Sequence, residues 1–261
     1  MDDLEVAVAA ARAGGAIVRD GFARSVIPEY KRQFDPVTAT DHSSEAAVLS
    51  VITERRPDDA ILAEESGGII PDGRLWIVDP LDGTVNFVHG IPQISVSVAL
   101  WEGDRPLAGV IYDPLRDECF SASADGGAYL NQRPIKVSPV ESLERSVAAT
   151  GFPYDHGDYA DEYAQVVGAV LASVNGIRRF GSAALDLAWV AAGRYEAYWE
   201  LGLAPWDQAA GILIVREAGG RVTDIFGADS VPTTPLVLAT NSQVHDGLLR
   251  IIEPLLPDRL R

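Results

Sequence analysis

The segment Asp79-Pro80-Leu81-Asp82-Gly83-Thr84 sets two carboxylates directly after the apolar run Leu75 to Val78. The run predicts a buried strand that ends at the first acid. The proline fixes the backbone, and the glycine allows a turn that brings the next amides toward the carboxylates. Two carboxylates about 4 Å apart repel by roughly 4 kcal/mol at an effective dielectric constant near 20, so they must share a proton or bind a cation. Mg²⁺ prefers carboxylate and carbonyl oxygen, and the Leu81 carbonyl lies between the acids; a capped Asx turn is the alternative interpretation.

Three more acids stand at the ends of predicted elements. Glu64 and Glu65 follow the apolar run Ala60 to Ala63, and Asp207 opens an apolar helix. A solvated loop would also explain the glutamates, and an N-cap would explain Asp207. Together with Asp79 and Asp82, Glu64 and Asp207 offer a formal charge of −4. Two Mg²⁺ ions would neutralise that charge and leave places for water and a phosphate oxygen, the arrangement used for in-line attack on phosphorus.

The elements that must position these acids follow from hydrophobic periodicity. The pattern predicts an α+β first half, residues 1–145, and an α/β second half, residues 146–261. Predicted helices cover 3–24, 41–56, 159–173, 182–193, 206–218 and 243–256. Predicted strands cover 60–63, 75–79, 94–100, 107–112, 118–121, 195–200, 221–224 and 236–240, and residues 28 and 31–36 are expected to form a loop.

Composition narrows the classes of function. The 261 residues carry 21 Lys and Arg against 38 Asp and Glu, a net charge of −17 that disfavours nucleic acid and anionic membranes as partners. The single Cys119 excludes an internal disulfide and is expected to be a small core residue. The acidic start of the chain and the absence of a long apolar run predict a cytoplasmic protein.

Three motifs in this order resemble the inositol monophosphatase family of Mg²⁺-dependent, lithium-sensitive sugar phosphatases. They are Ala63-Glu64-Glu65-Ser66, the run from Trp76 to Thr84 with Asn86-Phe87 after it, and Trp206-Asp207 before a helix that ends at Glu217-Ala218-Gly219-Gly220. The resemblance begins at Pro36-Val37-Thr38-Ala39-Thr40-Asp41 and covers nearly the whole chain. It implies an α/β fold, a layered α/β/α/β/α sandwich with the metal site between its two halves.

The resemblance also implies two or three Mg²⁺ ions per site. Glu64, Asp79 and the Leu81 carbonyl would bind the first ion, and Asp79, Asp82 and Asp207 the second. Glu64 would also touch a third, weaker ion.

The same resemblance places Thr84, Asp41 and Glu64 at the chemical step. The Gly83 and Thr84 amides would hold phosphate oxygens. Thr84, hydrogen-bonded to Asp41, would position and deprotonate a water on the first metal for direct in-line attack, without a covalent phosphoenzyme.

Substrate contacts are implied for the loop Gly181-Ser182-Ala183, for Glu200, and for Asp82 and Asp207. Lys31 aligns with a lysine in a loop near the metals, and an ordinary exposed lysine is the alternative. His89 follows the second motif and is not expected to reach the substrate. The sequence departs from the family at Ala204, where relatives carry histidine or a basic residue, so the preference for inositol is in doubt.

The predicted function is Mg²⁺-dependent hydrolysis of a phosphate monoester of a small polyol or sugar. Inositol 1-phosphate leads, with fructose 1,6-bisphosphate, histidinol phosphate and NADP as alternatives. A homodimer is expected from the resemblance alone. A non-catalytic regulatory protein that retains the fold is the alternative from another class.

Overall fold

The computed structural model describes residues 1–22, 27–32, 35–70, 72–152, 160–234 and 236–256. Within these ranges the α-helices are α1 (Asp3–Phe22), α2 (Ala39–Arg55), α3 (Thr84–Val88), α4 (Ala160–Leu171), α5 (Ala183–Ala191), α6 (Pro205–Glu217) and α7 (His245–Ile252). Two short 3₁₀ turns cover Leu143–Arg145 and Glu253–Leu255. No helix in the described ranges combines the length and the apolar character needed to span a bilayer.

The strands form two large sheets and one hairpin. In chain order they are β1 (Glu29–Arg32), β2 (Asp35–Val37), β3 (Ala60–Ala63), β4 (Gly67–Gly68), β5 (Arg74–Asp82), β6 (Ser95–Glu102), β7 (Arg105–Asp113), β8 (Glu118–Ser123), β9 (Gly127–Leu130), β10 (Arg133–Pro134), β11 (Val147–Thr150), β12 (Gly176–Arg178), β13 (Ala197–Leu201), β14 (Arg221–Thr223) and β15 (Leu236–Thr240). The eight-stranded sheet has the order β10-β9-β8-β7-β6-β5-β3-β4, and the five-stranded sheet has the order β12-β11-β13-β15-β14.

The helices form three layers around the two sheets. Helices α1 and α2 pack on one face of the eight-stranded sheet, and α5 and α6 lie between the sheets. Helices α4 and α7 cover the outer face of the five-stranded sheet. The predicted α/β/α/β/α sandwich is therefore confirmed.

Strand β5 is buried on both faces because it lies in the middle of this stack. Leu75 and Ile77 pack in the core between the sheets, whereas Trp76 and Val78 pack against α1 and α2. Alternate side chains of a strand point to opposite faces, so a fully apolar run is what this position requires. The strand was predicted to end at Asp79. It instead continues through Pro80 and Leu81 to Asp82.

Small residues let α6 pack closely against its neighbours. A Cβ added to Gly211 would lie 2.4 Å from the Leu187 side chain of α5. A Cβ added to Gly109 of β7 would lie 3.0 Å from the Ala210 carbonyl of α6. Cys119 is buried in the core, as predicted.

The sequence analysis missed several short elements. The segment expected to be a loop forms the antiparallel pair β1–β2, and β11, β12 and α3 were not predicted. Residues 23, 24, 33, 34 and 159 of the predicted segments lie outside the described residues. These elements are three to five residues long, too short for a periodic pattern to stand out.

Candidate metal and active site

Parallel pairing of β3 and β5 brings the first two motifs to one edge of the sheet. Ala63 pairs with Val78, so Glu64, the first residue after β3, lies beside Asp79 of β5. The Glu64 amide donates a hydrogen bond to the Val78 carbonyl at 3.1 Å. Sheet register therefore places these two acids together.

Asp79 is buried and forms the tight turn that the alternative interpretation proposed. Its Oδ1 accepts a hydrogen bond from the Leu81 amide at 3.0 Å, which is an Asx turn. The Leu81 carbonyl accepts a hydrogen bond from the Thr84 hydroxyl at 3.0 Å. The turn orients Asp79 toward the other acids, so it does not compete with the cation-binding interpretation.

Asp82 connects the first half of the chain to helix α5. Its carboxylate accepts hydrogen bonds from the Ser95 and Ser182 hydroxyls and from the Ala183 and Ala184 amides. The loop Gly181-Ser182-Ala183, predicted to contact substrate, is therefore held directly against Asp82.

Asp207 lies in the first turn of α6, three residues after the N-cap. The N-cap is Ala204, whose amide donates to Asp207 Oδ2 at 2.7 Å. The alternative of Asp207 as the N-cap is therefore wrong. The carboxylate keeps partial access to solvent at the helix N-terminus, where negative charge is stabilised.

The pKa shifts of the four acids follow from their burial and closeness. Burial raises the pKa of Asp79 well above its usual range, and the charges of Glu64, Asp82 and Asp207 raise it further. Burial and Asp82 likewise raise the pKa of Asp207. Burial raises the pKa of Glu64 to about 7, although Lys31 opposes it. Burial raises the pKa of Asp82 less, because its hydrogen bonds favour the charged form.

This donor set fits a hard divalent cation. The acids and the Leu81 carbonyl supply only oxygen, which Mg²⁺ prefers. The hydrogen bonds to Asp79, Asp207 and Glu64 described here go to one carboxylate oxygen of each. Within the described ranges, no three Asp, Glu, His or Cys side chains are arranged so that they could bind one metal ion by themselves. Carbonyl oxygen and water would therefore have to complete each coordination shell.

Thr84 is the first residue of helix α3 and is buried. Its hydroxyl lies 3.0 Å from Asp41 Oδ1. The amide and hydroxyl of Thr38 donate to the other oxygen of Asp41, which fixes that carboxylate. Gly83 has a φ of 91°, and a Cβ there would lie 2.8 Å from the Gln93 carbonyl, so only glycine suits this turn.

Lys31 reaches the acidic cluster. Its Nζ donates to Glu64 Oε1 at 2.9 Å and to Glu65 Oε1 at 2.6 Å. Against the effect of burial, these carboxylates raise the pKa of Lys31. Lys31 is exposed, as the alternative expected, yet its ammonium is ion-paired with both glutamates. Glu45, which the sequence analysis missed, accepts the Glu65 and Ser66 amides and fixes this turn.

Glu200 lies in β13 and is buried behind the loop that follows β11. It accepts a hydrogen bond from the Tyr198 hydroxyl, and a Cβ on Gly151 would overlap its carboxylate, at 1.8 Å from Oε2. Burial raises the pKa of Glu200 to about 7. Gly151 has no sequence signal, because its role depends on a side chain from a distant strand.

Asn86 holds the predicted substrate loop, a role that its place in the second motif did not reveal. Its Nδ2 donates to the carbonyls of Gln93 and Phe180 at 2.8 Å and of Gly181 at 3.2 Å. His89 is exposed at the end of α3.

Comparisons with known proteins agree with this architecture. The model of the inositol monophosphatase family matches residues 2–256. The chain is 45% identical over 248 residues to an inositol-1-monophosphatase of Synechocystis sp., covering 94% of this chain and 86% of that protein. It is 40% identical over 266 residues to the Nus factor SuhB of Pseudomonas aeruginosa, covering 99% and 98%.

A solved structure gives the same result. The extragenic suppressor protein suhB of Bartonella henselae superposes with a TM-score of 0.91 at 42% identity, covering 95% of this chain and 97% of that one. The family match spans nearly the whole sequence and the fold is shared. The chain belongs to the inositol monophosphatase family.

Proposed function

We propose that this protein is a Mg²⁺-dependent hydrolase of phosphate monoesters on small polyols or sugars, with inositol 1-phosphate as the leading substrate. The observation that carries the proposal is the crowding of acids at the buried end of β5, where sheet register sets Glu64 beside Asp79. Besides burial, the charges of Glu64, Asp82 and Asp207 raise the pKa of Asp79, and those of Asp82 and Glu64 raise the pKa of Asp207. Crowded acids of this kind destabilise a fold unless cations join them. Membership of the inositol monophosphatase family supports the same activity.

Two overlapping groups of oxygens would hold the cations. Glu64, Asp79 and the Leu81 carbonyl would form one group, and Asp79, Asp82 and Asp207 the other, with Glu64 also available to a third ion. Bound Mg²⁺ would supply a nucleophile at neutral pH and stabilise negative charge on the reacting phosphate and the leaving oxygen.

Thr84 and Asp41 would orient the attacking water. While the Thr84 hydroxyl donates to Asp41, its oxygen lone pairs are free to accept a hydrogen bond from water. A proton taken up at the Thr84 oxygen can be compensated by transfer of the hydroxyl proton to Asp41. Burial raises the pKa of Asp41, which favours that transfer.

The other wall of the site would bind the phosphate and the polyol. The Gly83 and Thr84 amides are proposed to hold phosphate oxygens. The loop Gly181-Ser182-Ala183 and Glu200, together with Asp82 and Asp207, are proposed to contact polyol hydroxyls.

A phosphate-release panel tests the proposal. Inositol 1-phosphate, fructose 1,6-bisphosphate, histidinol phosphate and NADP would be compared with Mg²⁺ and with excess chelator. We expect Mg²⁺-dependent release, and its loss in Asp82→Asn. The exposed Asp246 lies outside the site, so Asp246→Asn is the matched control and should keep wild-type activity. Full activity in chelator would contradict the proposal.

The second candidate is a regulatory role, favoured by a relative at 40% identity whose name is Nus factor SuhB. Such a role would depend on binding to another macromolecule, for which the acidic surface favours a protein. Cells that lack their own relative would receive the wild-type chain or Asp82→Asn. Restoration by both would support the regulatory role, and restoration by wild type alone would support hydrolysis.

Three further properties stay predictions. They are a homodimer, a cytoplasmic location and inhibition by lithium. Sedimentation of the purified chain, fractionation of cells and a lithium titration of phosphate release would test them separately.

A further inference from the structure

Three neighbouring parallel strands end beside the candidate site. In the five-stranded sheet, β11 lies between β12 and β13 and runs parallel to both. Phe152 follows β11, Arg179 follows β12 and Glu200 lies near the end of β13. Ligands bind outside the carboxyl ends of such strands, so these three side chains form one wall of a binding region.

The guanidinium of Arg179 is held at this wall by two contacts. Its central carbon lies 5.4 Å from the centre of the Phe152 ring, a cation–π arrangement. Phe152 in turn packs edge-on against Tyr163, with ring centres 5.2 Å apart. A Cβ added to Gly181 would lie 2.6 Å from Arg179 Nη1, so the guanidinium rests against the predicted substrate loop.

Arg179 brings positive charge to a region dominated by acids. Its charge opposes the effects of burial and of Asp82 on the pKa of Glu200, so the guanidinium acts on the polyol side of the site. The side chain of Ala204, at the start of α6, has no hydrogen-bond donor to offer there. A substrate with a second phosphate would be repelled by the surrounding carboxylates unless a cation met that group.

Arginine suits this task better than lysine. Its planar guanidinium presents paired N–H groups that match two oxygens of a phosphate. Arg179 is exposed, so its hydrogen-bond donors are accessible from solvent, while stacking on Phe152 limits its motion.

We propose that Arg179 is a specificity-determining residue that binds a second phosphate group of the substrate. The chain would then also bind a bisphosphorylated polyol or sugar, in addition to a monophosphate such as inositol 1-phosphate. This inference rests on the proposed phosphatase function and adds to its substrate class.

The test compares fructose 1,6-bisphosphate with fructose 1-phosphate and fructose 6-phosphate, which contain the same two esters singly. Initial rates of phosphate release would be measured with Mg²⁺ for wild type, Arg179→Gln and Arg178→Gln. Arg178 is the matched control because it is the adjacent exposed arginine, and its Nη1 donates to the Ile177 carbonyl. Both variants change the net charge equally.

We expect Arg179→Gln to raise KM for the bisphosphate about tenfold, the effect of losing charge-assisted hydrogen bonds, and KM for either monophosphate less than twofold. Arg178→Gln should leave all three values within twofold. If Arg179→Gln does not fold, Arg179→Lys keeps the charge but loses the paired donors, and it should give a smaller rise limited to the bisphosphate.

Two results would overturn the inference while leaving the phosphatase proposal intact. One is an equal change in KM for the bisphosphate and the monophosphates in Arg179→Gln. The other is an equal effect of Arg178→Gln and Arg179→Gln, which would indicate long-range charge only. A wild type that hydrolyses inositol 1-phosphate but none of the three fructose esters would overturn the inference as well, and a wild type that hydrolyses none of the four esters would overturn both proposals.

Discussion

The acids at the two ends of strand β5 have opposite kinds of neighbour. At its amino end, Arg74 donates to Asp59 and to Asp3, each at 3.0 Å, and Arg56 donates to Asp3 at 2.9 Å. At its carboxyl end, Asp79 lies among other carboxylates. The same strand therefore has a paired end and a crowded end.

The pKa values follow this difference. Burial opposes ionisation of Asp3, but the hydrogen bonds from Arg74 and Arg56 lower the pKa of that carboxyl. Burial and neighbouring acids raise the pKa of Asp79. Acids paired with arginine support folding, whereas acids crowded without arginine cost stability and are suited to bind cations. The comparison thus separates charges that stabilise the protein from charges that we assign to its activity.

The test with the largest expected effect replaces an aspartate by asparagine at the crowded end. Asp79→Asn removes one charged ligand proposed for both cations and should lower kcat on the order of a thousandfold or more. It also removes repulsion, so the melting temperature of the chelator-treated protein should stay equal or rise. Phosphate release and calorimetry measure the two effects. If the variant unfolded at a lower temperature and retained activity, Asp79 would support folding rather than activity, which would contradict the comparison.

The second test leaves the charges of the crowded end unchanged. Thr84→Ala removes the hydroxyl that lies 3.0 Å from Asp41 and from the Leu81 carbonyl, together with the γ-methyl group. We expect kcat to fall by roughly 10²–10⁴, the usual contribution of a positioned proton acceptor, with little change in KM. Because Thr84 is buried, loss of its hydrogen bond should also cost about 1 kcal/mol of folding free energy.

Circular dichroism separates the two effects of Thr84→Ala. Thr53→Ala is the matched control, since the Thr53 hydroxyl donates to the Leu49 carbonyl within α2 and is exposed. It should keep wild-type kcat. An activity loss in Thr84→Ala that only mirrors unfolding would contradict a role for the hydroxyl at the chemical step.

The long elements could be predicted from the sequence, because burial leaves a strong periodic or apolar pattern. Strands β3 and β15 match their predicted ranges, and α1, α2 and α6 match theirs within two residues at each described end. The β1–β2 hairpin could not be predicted, since its seven residues form no core pattern.

The acids could be named from the sequence, but their supports could not. Glu64, Asp79, Asp82 and Asp207 stand out because they follow or open apolar elements. Glu45, Asn86, Gly151 and Arg179 act across contacts set by sheet order, and their own neighbours in sequence give no sign of this. Chemistry can be recognised from residue type and spacing, while positioning requires the fold.

The third test moves to the paired end. Asp59→Asn weakens the ion pair with Arg74 and the hydrogen bond from the Trp76 indole to Asp59, which spans 2.9 Å. We expect a loss of about 1–3 kcal/mol in the free energy of unfolding, because the partly buried guanidinium of Arg74 loses one of its two carboxylate partners and keeps only Asp3. Activity of the folded protein should not change. Denaturant unfolding and phosphate release check the two parts, and a large activity loss without destabilisation would contradict the comparison.

The smallest expected effect concerns His245. This residue is buried, as Asp79 is, and its side chain has hydrogen-bond partners, as the side chain of Asp59 has. Its Nε2 lies 3.0 Å from the Thr223 hydroxyl and its Nδ1 lies 2.9 Å from the Thr240 hydroxyl. Burial, assisted by the charge of Arg221, lowers its pKa from 6.5 to about 4. The two threonine hydroxyls thus serve as hydrogen-bond partners of the ring nitrogens, but they do not compensate the positive charge of a protonated imidazole.

Stability should therefore depend on pH through this residue. Between pH 6.5 and about 4 the unfolded chain binds a proton that the folded protein excludes, so the free energy of unfolding falls as the pH falls. One such group contributes at most about 1.4 kcal/mol per pH unit. We expect His245→Gln to be less stable than wild type at pH 7 but to lose less stability between pH 6.5 and 4.5. Urea unfolding at each pH would measure the slopes of the wild type and of His245→Gln. If His245→Gln kept the wild-type slope, the hydroxyl partners alone would be able to offset the burial of a positive charge. Burial would then no longer explain why the carboxyl pKa values at the crowded end of β5 are raised.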